Sequence, residues 1–183
     1  MRKVFSVLTI FLLFGFSGCK LIDKLTQFNI SYSTDFSIPA TSIISLPIPI
    51  PDIVQPADIS TNTTQTFENN NTHADLLEKV ALKKLKLTIT NPSSRKFDFL
   101  KSAYVYISAD GLPEVKVAYI EEIDDATVGN SIELTPEDQD LQEYLKKDKI
   151  TIRVEATADK TTNSETDIKV DATFFVDAKI LGV

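Results

Sequence analysis

From Ile168 to Ile180 every second residue is apolar: Ile168, Val170, Ala172, Phe174, Val176, Ala178 and Ile180. The intervening Lys169, Asp171, Thr173, Asp177 and Lys179 are polar, and Phe175 alone breaks that side. Successive side chains of a strand point to opposite faces, so this period of two predicts a long half-buried β-strand. The same rhythm recurs upstream. Phe28, Ile30, Tyr32, Phe36 and Ile38 alternate with Asn29, Ser31, Ser33, Asp35 and Ser37. Leu85, Leu87 and Ile89 alternate with Lys84, Lys86 and Thr88, and Ile150, Ile152, Val154 and Ala156 with Thr151, Arg153 and Glu155.

Turn chemistry separates these runs. Asp110-Gly111-Leu112-Pro113 lies between Ala103–Ala109 and Glu114–Ile120 and predicts a hairpin, with a glycine free to take positive φ. Asn91-Pro92-Ser93-Ser94 is a second turn, ahead of a Phe97–Leu100 segment. Two short helices are expected. Thr135 as N-cap with Pro136 at the first helical position opens one that packs Leu141, Tyr144 and Leu145 and closes on Lys146 and Lys147. Thr72 to Val80 is the other, packing Leu76, Leu77 and Val80, and Ser60 to Thr72 is expected to be a polar strand and loop. Prolines alternate with Leu46, Ile48 and Ile50, which suits a sheet edge where a missing N–H costs no ladder bond. The whole predicts an all-β fold, an antiparallel immunoglobulin-like β-sandwich with one or two short helices.

The N-terminus predicts an address. Arg2 and Lys3 precede an apolar run from Val4 to Phe16, too short to cross a bilayer and therefore a secretory signal. Phe16-Ser17-Gly18-Cys19 resembles the bacterial lipobox, with Phe16 in place of the usual Leu. That resemblance implies cleavage before Cys19, the only cysteine, and acylation of it. Two or three acyl chains at about 0.8 kcal/mol per buried methylene anchor a protein to a membrane. The expected organisation is a signal peptide over 1–18, a lipidated Cys and short tether over 19–27, and one sandwich domain over 28–183. Lys20 follows the cysteine, and the resemblance then implies the outer membrane of a bacterial envelope, facing the periplasm. The Leu87–Ser94 stretch, LTITNPSS, and the long first and last strands also resemble the late-embryogenesis-abundant (water-stress) sandwiches. That resemblance implies no catalytic residues.

Composition narrows the chemistry. Cleavage removes Arg2 and Lys3, so 19 basic side chains fall to 17 against 26 acidic ones, a formal −9. An acidic surface repels phosphates, so no nucleic acid is expected as a partner. Only Gly111, Gly129 and Gly182 remain of five glycines, too scattered to cradle a nucleotide. His73, the sole histidine, sits in a helix-start pattern and has no thiol or nucleophile elbow to accompany it. No cofactor, no zinc site and no enzymatic activity are expected.

Four kinds of binding stay open. Leu46, Ile48, Ile50, Tyr104 and Tyr106 are candidates for contact with an envelope protein partner. A lipid or other apolar ligand between the sheets is the alternative. A carbohydrate could use Tyr104 and Tyr106, although the chain has no Trp. Glu121, Glu122, Asp124 and Asp125 are calcium candidates in a loop that lacks EF-hand spacing, where a solvated acidic loop is the plainer expectation.

Overall fold

The computed structural model describes residues 26–40, 48–50 and 57–179. Among them are nine strands: β1 (Gln27–Ile38), β2 (Ile48–Ile50), β3 (Ala57–Ser60), β4 (Leu77–Asn91), β5 (Leu100–Ala109), β6 (Leu112–Ile120), β7 (Ser131–Pro136), β8 (Lys149–Ala158) and β9 (Thr166–Ala178). Two short helices, α1 (Thr63–Glu68) and α2 (Gln142–Leu145), and a 3-10 turn (Ala74–Leu76) accompany them. Every pairing is antiparallel. The order is β1-β9-β4-β7-β6-β5-β8-β2, with β3 also on β8.

The chain is thus all-β and antiparallel, as its alternation predicts. The two halves are not separate, however. β7 pairs with β4 through Leu134 and then with β6 at Thr135↔Tyr119 and Pro136↔Ala118, so one sheet turns a corner and folds over. Its inward side chains form a single buried cluster, with Phe174, Leu85, Leu87, Ile107 and Leu134 among the most enclosed. On β9 the expected alternation holds through Ala178, each second residue from Thr166 being buried, and Ile180 lies outside the described residues. The hairpin also forms, tighter than expected: Ala109 faces Leu112 across Asp110 and Gly111, and Gly111 takes φ +74°. β4 ends at Asn91, followed by a turn in which the Arg95 N–H donates to the Pro92 carbonyl.

Both expected helices are corrected. Thr135 and Pro136 end β7 instead of opening a helix, because Thr135 finds a ladder partner in Tyr119 and the Glu137 N–H continues to Val117. The helix that follows is one turn, α2, and Asp140 accepts from the N–H of Gln142 (3.0 Å) and of Val80 (3.2 Å) at its start. Leu141, Tyr144 and Leu145 are buried as expected. The Thr72–Val80 helix is only the turn at Ala74–Leu76, after which β4 begins. The reason is a bulge. A register shift between Leu77 and Lys79 places inward Leu77 and Val80 three residues apart, a helical spacing produced by an extra strand residue. Leu82 and Leu85 repeat the effect across the shift at Leu82/Lys84. Within the expected polar loop Ser60–Thr72, α1 forms around buried Phe67.

Candidate functional site

The outer side of β6, β5 and β8 gathers a set of long amphipathic side chains. Two rows cross it. Tyr119, Tyr104 and Glu155 form one, and Lys116, Tyr106 and Arg153 the other. Strand alternation sends Ala103, Val105 and Ile107 into the core and therefore turns Tyr104 and Tyr106 outward, where both remain half-buried. A register shift between Val105 and Tyr106 buries both Val117 and Ala118 and brings Lys116 opposite Tyr106.

Cations cover the rings. The Arg153 guanidinium lies 4.2 Å from the Tyr106 centroid. Lys116 Nζ lies 4.9 Å from Tyr119 and 5.7 Å from Tyr104. Carboxylates hold the cations in place: Arg153 donates from Nε (2.9 Å) and Nη2 (2.7 Å) to the two oxygens of Glu114, and from Nη1 to Glu155 (3.3 Å). Lys116 pairs with Glu137 at 2.7 Å. The forked donation from Arg153 keeps the Glu114 carboxyl below its usual range, and the bond to Glu137 raises the Lys116 ammonium above its own. The result is a preorganised platform of three phenols, with each charge already matched.

Tyr104 and Tyr106 are therefore brought together, as expected for one strand face. The Tyr144 hydroxyl donates to the Pro113 carbonyl (2.8 Å), and its ring is buried in the core. Tyr119, Lys116, Arg153, Glu114 and Glu155 are the residues sequence reasoning missed. Counting outward from the Ala109↔Leu112 turn pairs Tyr104 with Val117, and only two register shifts replace that with Tyr119. Arg153 and Glu155 were legible as the polar side of β8, but not as neighbours of tyrosines.

The other candidates disperse. Cys19 and Leu46 lie outside the described residues. Ile48 and Ile50 belong to β2, opposite Ala158 and Ala156 on β8. In the acidic loop, Glu121 and Glu122 are exposed. Asp124 accepts from the Ala126 N–H (3.0 Å) and the Thr127 hydroxyl (2.9 Å), while Asp125 pairs with Lys160 (2.6 Å). Its carboxylates thus hold the loop's own turn and a lysine. Among the described residues no three His, Cys, Asp or Glu side chains are grouped to hold a metal ion. His73 is exposed beside the 3-10 turn.

Fold and site together define an antiparallel all-β module with an aromatic outer platform. No protein-family model matches the chain, and no curated protein does. Among solved structures it is similar to the decameric BFDV capsid protein, at 9% identity and a TM-score of 0.41 over 84% of this chain and 98% of that one. It is also similar to Desmodium yellow mottle tymovirus (9% identity, TM-score 0.23, 86% and 91% covered) and to turnip yellow mosaic virus (8%, 0.23, 85% and 85%). At such scores the likenesses carry no argument about topology or role.

Proposed function

We propose that the chain is a lipid-anchored, non-enzymatic binding module of the bacterial cell envelope, held at the outer membrane through Cys19 and facing the periplasm. It engages an envelope protein through the outer platform of β6, β5 and β8. The observation that carries this reading is the platform itself. Tyr and Arg dominate the energetic centres of protein interfaces because they bring large area at small entropy cost. Here three tyrosines are already held under matched charges, so little ordering remains to oppose association. A sugar would need an open ring face, and Arg153 covers that of Tyr106. The apolar carrier finds less support, since the described interior is filled by side chains such as Phe67, Phe97 and Phe174.

The strand connections fit an immunoglobulin-like reading with an exchange at the ends. β4 neighbours β7 and β5 neighbours β8, as strands B and E, C and F do in that fold. β9 then stands in the place of strand A beside β4, and β3 in the place of strand G beside β8.

A photo-crosslinking residue at Tyr119 of the full chain, irradiated in the native envelope, tests the proposal. One discrete protein adduct is expected, lost on Arg153→Ala and absent when the crosslinker stands at Lys84 on the opposite face. Equal yields from Tyr119 and Lys84 would overturn the platform. Fatty-acid incorporation that survives Cys19→Ala would overturn the anchor.

A further inference from the structure

Between Ser60 and Thr72 the chain carries one apolar residue, Phe67, in an otherwise polar run of Thr, Asn, Gln and Glu. That run leads from the end of β3 toward the start of β4 and is fixed at three points. At one end Thr61 is fully buried. Its N–H donates to the Asp148 carbonyl (3.0 Å) and its hydroxyl to the Lys147 carbonyl (2.6 Å). At the other end Thr72 is equally buried, and its hydroxyl donates to the Lys179 carbonyl (2.6 Å). In the middle Phe67, 1% exposed, meets Phe28 of β1 edge-on (6.5 Å). β1 also reaches the first point, where the Tyr32 hydroxyl donates to the Thr61 carbonyl (3.0 Å). Burial raises the Tyr32 phenol to about 12, so it keeps its proton and stays a donor near neutral pH. Between the fixed points Asn62, Gln65, Glu68 and Asn69 are exposed.

We infer that residues 61–72 are a strap that lifts as one unit while the sheet stays folded, with Phe67 as its plug and the Tyr32–Thr61 contact as its latch. Two hydroxyls, one phenol and one ring hold it, whereas β9 is held by a buried inward face and a ladder on each side. Segments with few buried apolar contacts open locally at a smaller free energy than the core. The three points are coupled through α1. A helix of six residues does not persist in water, so freeing Phe67 unwinds it and leaves the two threonines at the ends of a loose loop. Opening bares the half-buried Phe28 and Tyr32 rings. It also releases the entry to β8, the strand that carries Arg153 and Glu155, from its tie to β1.

Amide hydrogen exchange of the full chain in detergent, under native conditions, tests the strap. The reporters are the N–H groups of Thr61, Thr66, Asn69, Asn70 and Thr72, each bonded to a carbonyl in the closed form. They are expected to share one opening equilibrium and to exchange faster than the amides of β9. Thr72→Val keeps the side-chain shape and removes one hydroxyl. It is expected to speed exchange at Thr61, the far end, by about tenfold. Tyr32→Phe removes only the latch hydroxyl and is expected to speed exchange at Thr72 by about two- to tenfold. Far-end exchange left unchanged in either variant would show that the ends open separately and would overturn the proposal. Strap amides as slow as those of β9 would overturn it as well, because opening would then require the whole fold to unfold.

Discussion

Across β1 and β9 the outer face is stitched mainly by short side chains: Ser31 meets Thr173 at 3.0 Å, Ser33 meets Asp171, and Ser37 meets Asp167. Across β6, β5 and β8 it is made of long ones, with Arg153 and Lys116 laid over tyrosine rings and tied to Glu114 and Glu137. The short pairs bond close to the backbone and stitch an edge strand to its neighbour. They cover little area. The long side chains bury ring faces and aliphatic stems while keeping their charges in water, which makes a broad flat surface. One face thus fastens the sheet, and the other presents a broad aromatic and charged surface.

If both faces only trim a common core, a core truncation must exceed any change at either. Phe174 is 1% exposed and meets Tyr32 edge-on at 6.0 Å. Phe174→Ala is expected to cost about 3–5 kcal/mol in urea unfolding. A smaller loss than that of Arg153→Ala would invert the comparison.

Next in size is the platform. Arg153→Ala removes a forked carboxylate bond and a cation over a ring, with the Arg153 side chain 27% exposed. Exposed pairs contribute about 0.2–1 kcal/mol and a surface cation–ring contact about 0.5–1 kcal/mol, so a total of about 1–2 kcal/mol is expected. Ser33→Ala on the opposite face is expected to cost less, at about 0.5–1.5 kcal/mol for one hydrogen bond and toward the low end because it is exposed. Equal losses would show that long and short side chains fasten the sheet alike.

The two faces also differed in how far the sequence revealed them. The β1/β9 face was legible because Gln27↔Asp177 to Ile38↔Thr166 runs without a slip, so alternation alone assigns every side chain. The tyrosine platform was only half legible. Tyr104 and Tyr106 show their face by alternation, but their neighbours depend on register shifts in β5–β6 that no local pattern announces. Bulges explain the misread helix as well, since Leu77 and Val80 acquire a spacing of three from an inserted residue. Thr135-Pro136 misled for a different reason: a helix-start signal is local, whereas the Tyr119 partner that keeps Thr135 extended is tertiary.

The smallest expected effect separates the faces by acid and salt. Asp167 sits below the usual carboxyl range because Ser37 and then Asn91 donate to it, and both donors are neutral. Asp171 is lowered chiefly by Lys169 and then by Ser33, and Glu114 by Arg153. A carboxyl with a depressed folded pKa stabilises the fold above its unfolded pKa, about 3.9 for Asp, and loses that contribution as pH falls through the folded value. Wild-type stability is therefore expected to fall more steeply below about pH 4 than that of Asp167→Asn or Glu114→Gln, with each gap closing in acid. Salt then distinguishes the two. Ions screen the attraction between Arg153 and Glu114, so the Glu114→Gln gap is expected to narrow from low salt to 1 M, where the Debye length is about 3 Å. The Asp167→Asn gap rests on neutral donors and is expected to stay. Parallel salt responses in the two variants, measured by urea titration at matched pH, would remove the distinction between a carboxylate held by neutral donors and a carboxylate held by a cation.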